Sequence, residues 1–128
     1  NVAVIYGDSP VCSYLSWPKK IDEKNWNLLL EAYNFSDNSE AETFEDVPLS
    51  DKALELYKTY NISMINVVGD TDQIVPVAEN TIILAEKYRR IGGDIVVIHK
   101  QHNGHTPHGL DDASPIVDFI LSHSPVPN

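Results

Sequence analysis

Three apolar runs rich in β-branched side chains limit what this chain can fold into: residues 1–6 (NVAVIY), 63–68 (SMINVV) and 94–99 (DIVVIH). Each is continuous rather than alternating in hydrophobicity. That is the mark of strands covered on both faces, the habit of parallel sheets. Each run also ends in turn-forming residues. Gly7, Asp8, Ser9 and Pro10 follow the first, Gly69 and Asp70 the second, and a loop of Gly, His and Pro over 100–111 the third. Helical patterns fill the gaps, and strands alternating with helices imply a parallel sheet with right-handed crossovers.

The helices can be placed from their caps and stripes. Asp22 can cap a helix carrying Trp26, Leu29, Leu30 and Tyr33 at helical spacing. Ser39, with Glu42 three positions on, makes a capping-box pattern for a second short helix. The carboxylates around it, Asp37, Glu40, Glu42, Glu45 and Asp46, form a solvated acidic face. Ser50 can cap a helix through Leu54, Tyr57 and Tyr60, with Asn61 as a left-handed stop. Pro76 sits where a helix can start, and Val77, Leu84, Ala85 and Tyr88 give that helix its apolar stripe before Gly92 and Gly93 end it. Ser114 and Pro115 open a last helix with Ile116, Val117, Ile120 and Leu121 inward, and 124–128 read as a tail. The expected fold is therefore a three-layer α/β sandwich with a parallel sheet of about three strands. It forms one unit over 1–128, in which 12–48 is an insertion.

Charge narrows the function classes. The net charge of −10 disfavours nucleic acid and anionic membranes, both of which need clustered Lys and Arg. No apolar run approaches the ~20 residues that span a bilayer. Residues 1–6 lack the basic region and cleavage site of a signal peptide, and without an initiator Met the chain reads as cut from something longer. Cys12 is the single cysteine, so no internal disulfide can form.

In open α/β sheets, ligands and catalytic groups gather beyond the C-terminal ends of strands. Two polar clusters occupy such places: Gly69, Asp70, Thr71 and Asp72, and the stretch from Gln101 to His108. One helix and one strand separate them, so their strands should be neighbours. An Asp from one loop can then orient a His from the next, as a serine-hydrolase triad requires.

These stretches, VVGDTDQIVPVAENT and IVVIHKQHNGHTPHGLDDASPIVDFI, resemble the last two strand–loop units of α/β-hydrolases, closest to the dienelactone-hydrolase and prolyl-oligopeptidase-like esterases. The opening VAVIYGDSPVCSYLSWP resembles the strand after the nucleophile helix, so the likeness spans nearly the whole chain but only the second half of the family fold. The family's acid lies in a Gly-x-x-Asp-x-x-Val-Pro setting, matched by Gly69, Asp72, Val75 and Pro76, and its histidine in a Gly-His pair, matched by Gly104 and His105. The resemblance implies ester hydrolysis with Asp72 and His105 as catalytic residues, no cofactor, and a small-molecule ester as substrate. Residues 12–48 take the place of the family's cap, where Tyr14, Trp17 and Trp26 could line a substrate pocket or simply pack the insertion. The acidic charge and exposed tryptophans permit a neutral or sugar-bearing ester.

The departure from the pattern is the nucleophile. A Gly-x-Ser-x-Gly elbow occurs nowhere among these residues. The serine is expected before Asn1, and this chain alone is expected to be inactive. The first strand should then have a neighbour on its missing side, either the N-terminal half or another copy.

Rival assignments are weighed on the same residues. Asp70 is the alternative acid and His108 the alternative base. Ser9, in a Gly-Asp-Ser block, and Cys12 are weak nucleophile candidates. GDSL-type hydrolases pair such a serine with Asp-x-x-His, but Ser114 and Pro115 stand third after Asp111 and Asp112. Histidines at 99, 102, 105 and 108 invite a metal site, but Gly104 and Pro107 interrupt any common helical face and the spacing matches no tight zinc pattern. A non-catalytic binding domain derived from a hydrolase is the remaining alternative.

Overall fold

In the computed structural model, which describes residues 2–124, the three apolar runs pair as one parallel sheet. The strands are β1 (Val4–Asp8), β2 (Ser63–Gly69) and β3 (Ile95–Lys100), in the order β1-β2-β3. Register runs from Val4 opposite Ser63 to Asp8 opposite Val67, and from Met64 opposite Ile95 to Gly69 opposite Lys100. The helices are α1 (Glu23–Ala32), α2 (Asn38–Thr43), α3 (Asp51–Thr59), α4 (Thr81–Arg90) and α5 (Ser114–His123), with a 3-10 turn at Val77–Glu79 before α4. The first strand starts and ends later than its apolar run. Asn1 and the tail residues 125–128 lie outside the described residues.

All seven residues of β2 are buried, as a central parallel strand requires. One face packs Met64 with Cys12, Leu54, Leu84, Ala85, Tyr88 and Ile95, under α3 and α4. The other packs Ile65 and Val67 with Ile116 of α5. Helices on both faces make a three-layer α/β sandwich. Each fully buried aliphatic side chain contributes about 1.5–3 kcal/mol relative to exposure.

Local signals mostly behave as the sequence suggests. Asp22 accepts from Asn25 N and Ser50 from Ala53 N, each capping its helix. Asn61 takes φ 52, and Gly92 takes φ 80. Two expectations need correction. Asp37, not Ser39, caps α2: its carboxylate accepts from Glu40 N, while Glu40 reaches back to Ser36 N and Oγ. Glu42 instead pairs with Lys19 across the insertion. In α5, Ile116 is buried and Phe119 and Ile120 pack beside it, whereas Val117 and Leu121 are 47% and 68% exposed. The i, i+3, i+4 row that meets the sheet starts at Ile116, which turns Val117 and Leu121 outward.

Among the described residues β1 has a neighbour on one side only, which leaves its other edge without a partner strand there. Tyr6 is 40% exposed beside that edge.

Candidate active site

The site is built where β2 and β3 end. Gly69 closes β2, and a Cβ there would lie 2.1 Å from Gly104 O and 2.5 Å from Asn103 O. Only glycine lets the backbone of the histidine loop come so close. The loops are then joined main chain to main chain: Thr71 N donates to Asn103 O at 2.9 Å and Asp70 N to Lys100 O at 3.2 Å. Gly69→Ala would push two backbone segments apart. It is expected to destabilise the fold by about 1–3 kcal/mol, as overpacking does, measured by urea denaturation. The Gly-x-x-Asp spacing thus has a physical reason beyond family likeness.

Asp72 sits in the turn so formed, its side chain 1% exposed. Oδ1 accepts from Ile74 N at 2.9 Å and Val75 N at 2.8 Å. Oδ2 faces His105 Nδ1 at 2.9 Å. A carboxylate only accepts, so Nδ1 carries the proton and the neutral ring presents Nε2 as a bare acceptor. Nε2 has no hydrogen-bond partner among the described residues, and the His105 side chain is 25% exposed. The arrangement can hold an imidazole in one tautomer and receive a proton on its outer nitrogen.

The rival residues are distributed differently. Asp70 pairs with His99, Oδ1 to Nδ1 at 2.6 Å, both more than a third exposed. His108 faces Asp8 at 3.4 Å, and its ring meets that of His105 edge-on with centroids 5.0 Å apart. His102 has φ 62 and is exposed. Three of the four histidines thus go to separate carboxylates, and no three metal-binding side chains converge among the described residues.

Ser9 and Cys12 are enclosed. Ser9 takes φ 44 in the turn after β1 and is 6% exposed. Its hydroxyl is the one buried side-chain polar atom without a partner among the described residues. A nucleophile must be reached by substrate, and this hydroxyl is not. Cys12 is 4% exposed, and burial pushes its thiol up to about 11, so it is scarcely thiolate at neutral pH.

Within the insertion, Trp26 is 5% exposed, not at the surface as expected. Its indole Nε1 donates to Asn38 Oδ1 at 2.9 Å, and its ring lies 6.1 Å from that of Tyr14. The Tyr14 hydroxyl donates to Ala41 O. Both rings are engaged in tying α1 and α2 to the loop after β1. Trp17 is half-buried.

Two residues that reading the sequence did not single out organise the region. Asp8 ends β1 and accepts from Gly109 N at 2.6 Å. Asn80, 1% exposed, binds the insertion to the start of α4. A polar residue at a strand end was the available signal for Asp8; nothing local distinguishes Asn80. No protein-family model matches the chain, and no curated protein does.

Proposed function

We propose that this chain forms part of a serine hydrolase of the α/β-hydrolase type, cleaving a small carboxylic ester. Asp72 orients His105. His105 takes the proton of an attacking serine hydroxyl at Nε2 and returns it to the leaving alkoxide. The observation that carries the reading is the buried Asp72 carboxylate, clamped by two backbone amides and aimed at His105 Nδ1 while Nε2 stays open. The serine and the oxyanion-binding amides come from residues outside this sequence, which holds no Gly-x-Ser-x-Gly. They belong to another segment, of a longer chain or of a different chain, that pairs with the open edge of β1. Of the insertion's aromatic trio, Tyr14 lines a cavity there, with Leu15, Phe44 and Leu49.

Treating the intact protein with a fluorophosphonate probe tests this. Labelling of one serine is expected, and its loss in His105→Ala. A protein that never labels, or labels equally without His105, would overturn the reading.

A further inference from the structure

We propose that Asp8 and His108 are positioning residues that hold the His105 imidazole against Asp72; the inference rests on the hydrolase reading for its catalytic meaning, though not for its geometry. Asp72 fixes His105 at one atom only. A ring held by a single hydrogen bond can still pivot about it, so a lateral restraint is needed if Nε2 is to stay aimed.

His108 supplies that restraint. Its ring stands at 82° to the His105 ring with centroids 5.0 Å apart, the edge-to-face contact that aromatic rings favour. His108 is itself half-exposed and would be free to swing without an anchor. Asp8 is that anchor. Oδ1 faces His108 Nδ1 at 3.4 Å, and Oδ2 accepts from Gly109 N at 2.6 Å and from the Tyr6 hydroxyl at 3.2 Å. Gly109 stands at φ 73, a conformation that favours glycine and turns the chain back toward β1. One carboxylate at the end of β1 thereby pins a loop 100 positions away, at a point separate from the Asp72 contact. The histidine loop is held from two strands, β2 through Asp72 and β1 through Asp8, and the two imidazoles meet edge-on.

The contrast with Asp70 and His99 supplies a control. That pair is shorter, at 2.6 Å, and lies at the same end of the sheet, but among the described residues neither member hydrogen-bonds to or stacks on His105. Loss of an Asp–His pair as such can therefore be separated from loss of the restraint.

Nitrogen NMR of histidine-labelled protein reads the ring directly and does not depend on turnover. The parent is expected to show His105 as a single tautomer, protonated at Nδ1. Asp8→Asn and His108→Ala are expected to give averaged His105 resonances, while Asp70→Asn keeps the parent's. If an ester is turned over, kcat falls by up to about 10²-fold in the two variants with KM unchanged, the effect of a misplaced catalytic group. Should Asp8→Asn fail to fold, His108→Ala carries the test alone. His105 resonances that stay those of the parent in the folded variants would overturn the proposal. A protein that hydrolyses nothing, yet whose His105 tautomer responds to Asp8, would overturn the hydrolase reading and leave the positioning role standing.

Discussion

Asp72→Asn is expected to fold normally and to lower turnover of an activated ester by about 10⁴-fold with KM nearly unchanged. The reason lies in which atoms the substitution preserves. The asparagine carbonyl can still accept from Ile74 N and Val75 N, so the turn survives. Its amide nitrogen then stands where Oδ2 stood, opposite His105 Nδ1. An amide N–H donates, so Nδ1 must become the acceptor and the proton moves to Nε2. The imidazole is then in the wrong tautomer to take a proton from a hydroxyl. Alanine would be a poorer test, because it also orphans two backbone amides at a buried site. The paired measurements are kcat and KM on the intact protein and its thermal midpoint. A folded variant retaining turnover within tenfold of the parent would remove Asp72 from the mechanism.

The outline of the fold was legible because its determinants are local. Apolar runs bounded by turns locate strands, and Asp22, Ser50 and Asn61 each act within three residues of themselves. Local signals fail where two readings are equally good. Asp37 with Glu40 and Ser39 with Glu42 both satisfy a capping pattern, and the choice falls to Lys19, which engages Glu42 from 23 positions away. In α5 nearly every position from Ile116 to Leu121 is apolar, so periodicity cannot say which row meets the sheet. The site divides in the same way. Asp72 and His105 follow adjacent strands and can be paired on paper. Asp70 against Asp72 cannot be decided there, because the two share one turn and differ only in which histidine each side chain meets. Asp8 and Asn80 depend on partners 100 and 68 positions distant, and no window along the chain contains both ends.

Of those two, Asn80 carries the larger weight in stability. Its Oδ1 accepts from Cys12 N and Ser13 N, each at 2.9 Å. Its Nδ2 donates to Ser16 Oγ and Pro76 O, each at 3.0 Å. An amide side chain has two lone-pair directions and two protons, and here all four are used out of reach of water. Asn80→Ala removes the hub and leaves its former partners facing a small cavity. Each buried polar group so stranded costs about 1–3 kcal/mol. With water relieving part of the loss, a destabilisation of about 3–5 kcal/mol is expected, a large share of the 5–15 kcal/mol typical of a domain. The ion pair between the insertion and this turn, Lys20 to Glu79 at 2.7 Å, is solvent-exposed and too weak to compensate. Urea denaturation measures the total, and hydrogen exchange locates it: protection should fall first in residues 12–20, while the amides of Thr71 and Asp72, bonded to Asn103 O and Gly69 O, keep theirs. A loss below about 1 kcal/mol would mean that the loop after β1 finds other partners. A folded variant with a loosened insertion and an intact Asp–His pair would also separate the two halves of the proposed enzyme. Chemistry would persist at the strand ends while selection of the ester, if the insertion performs it, would be lost.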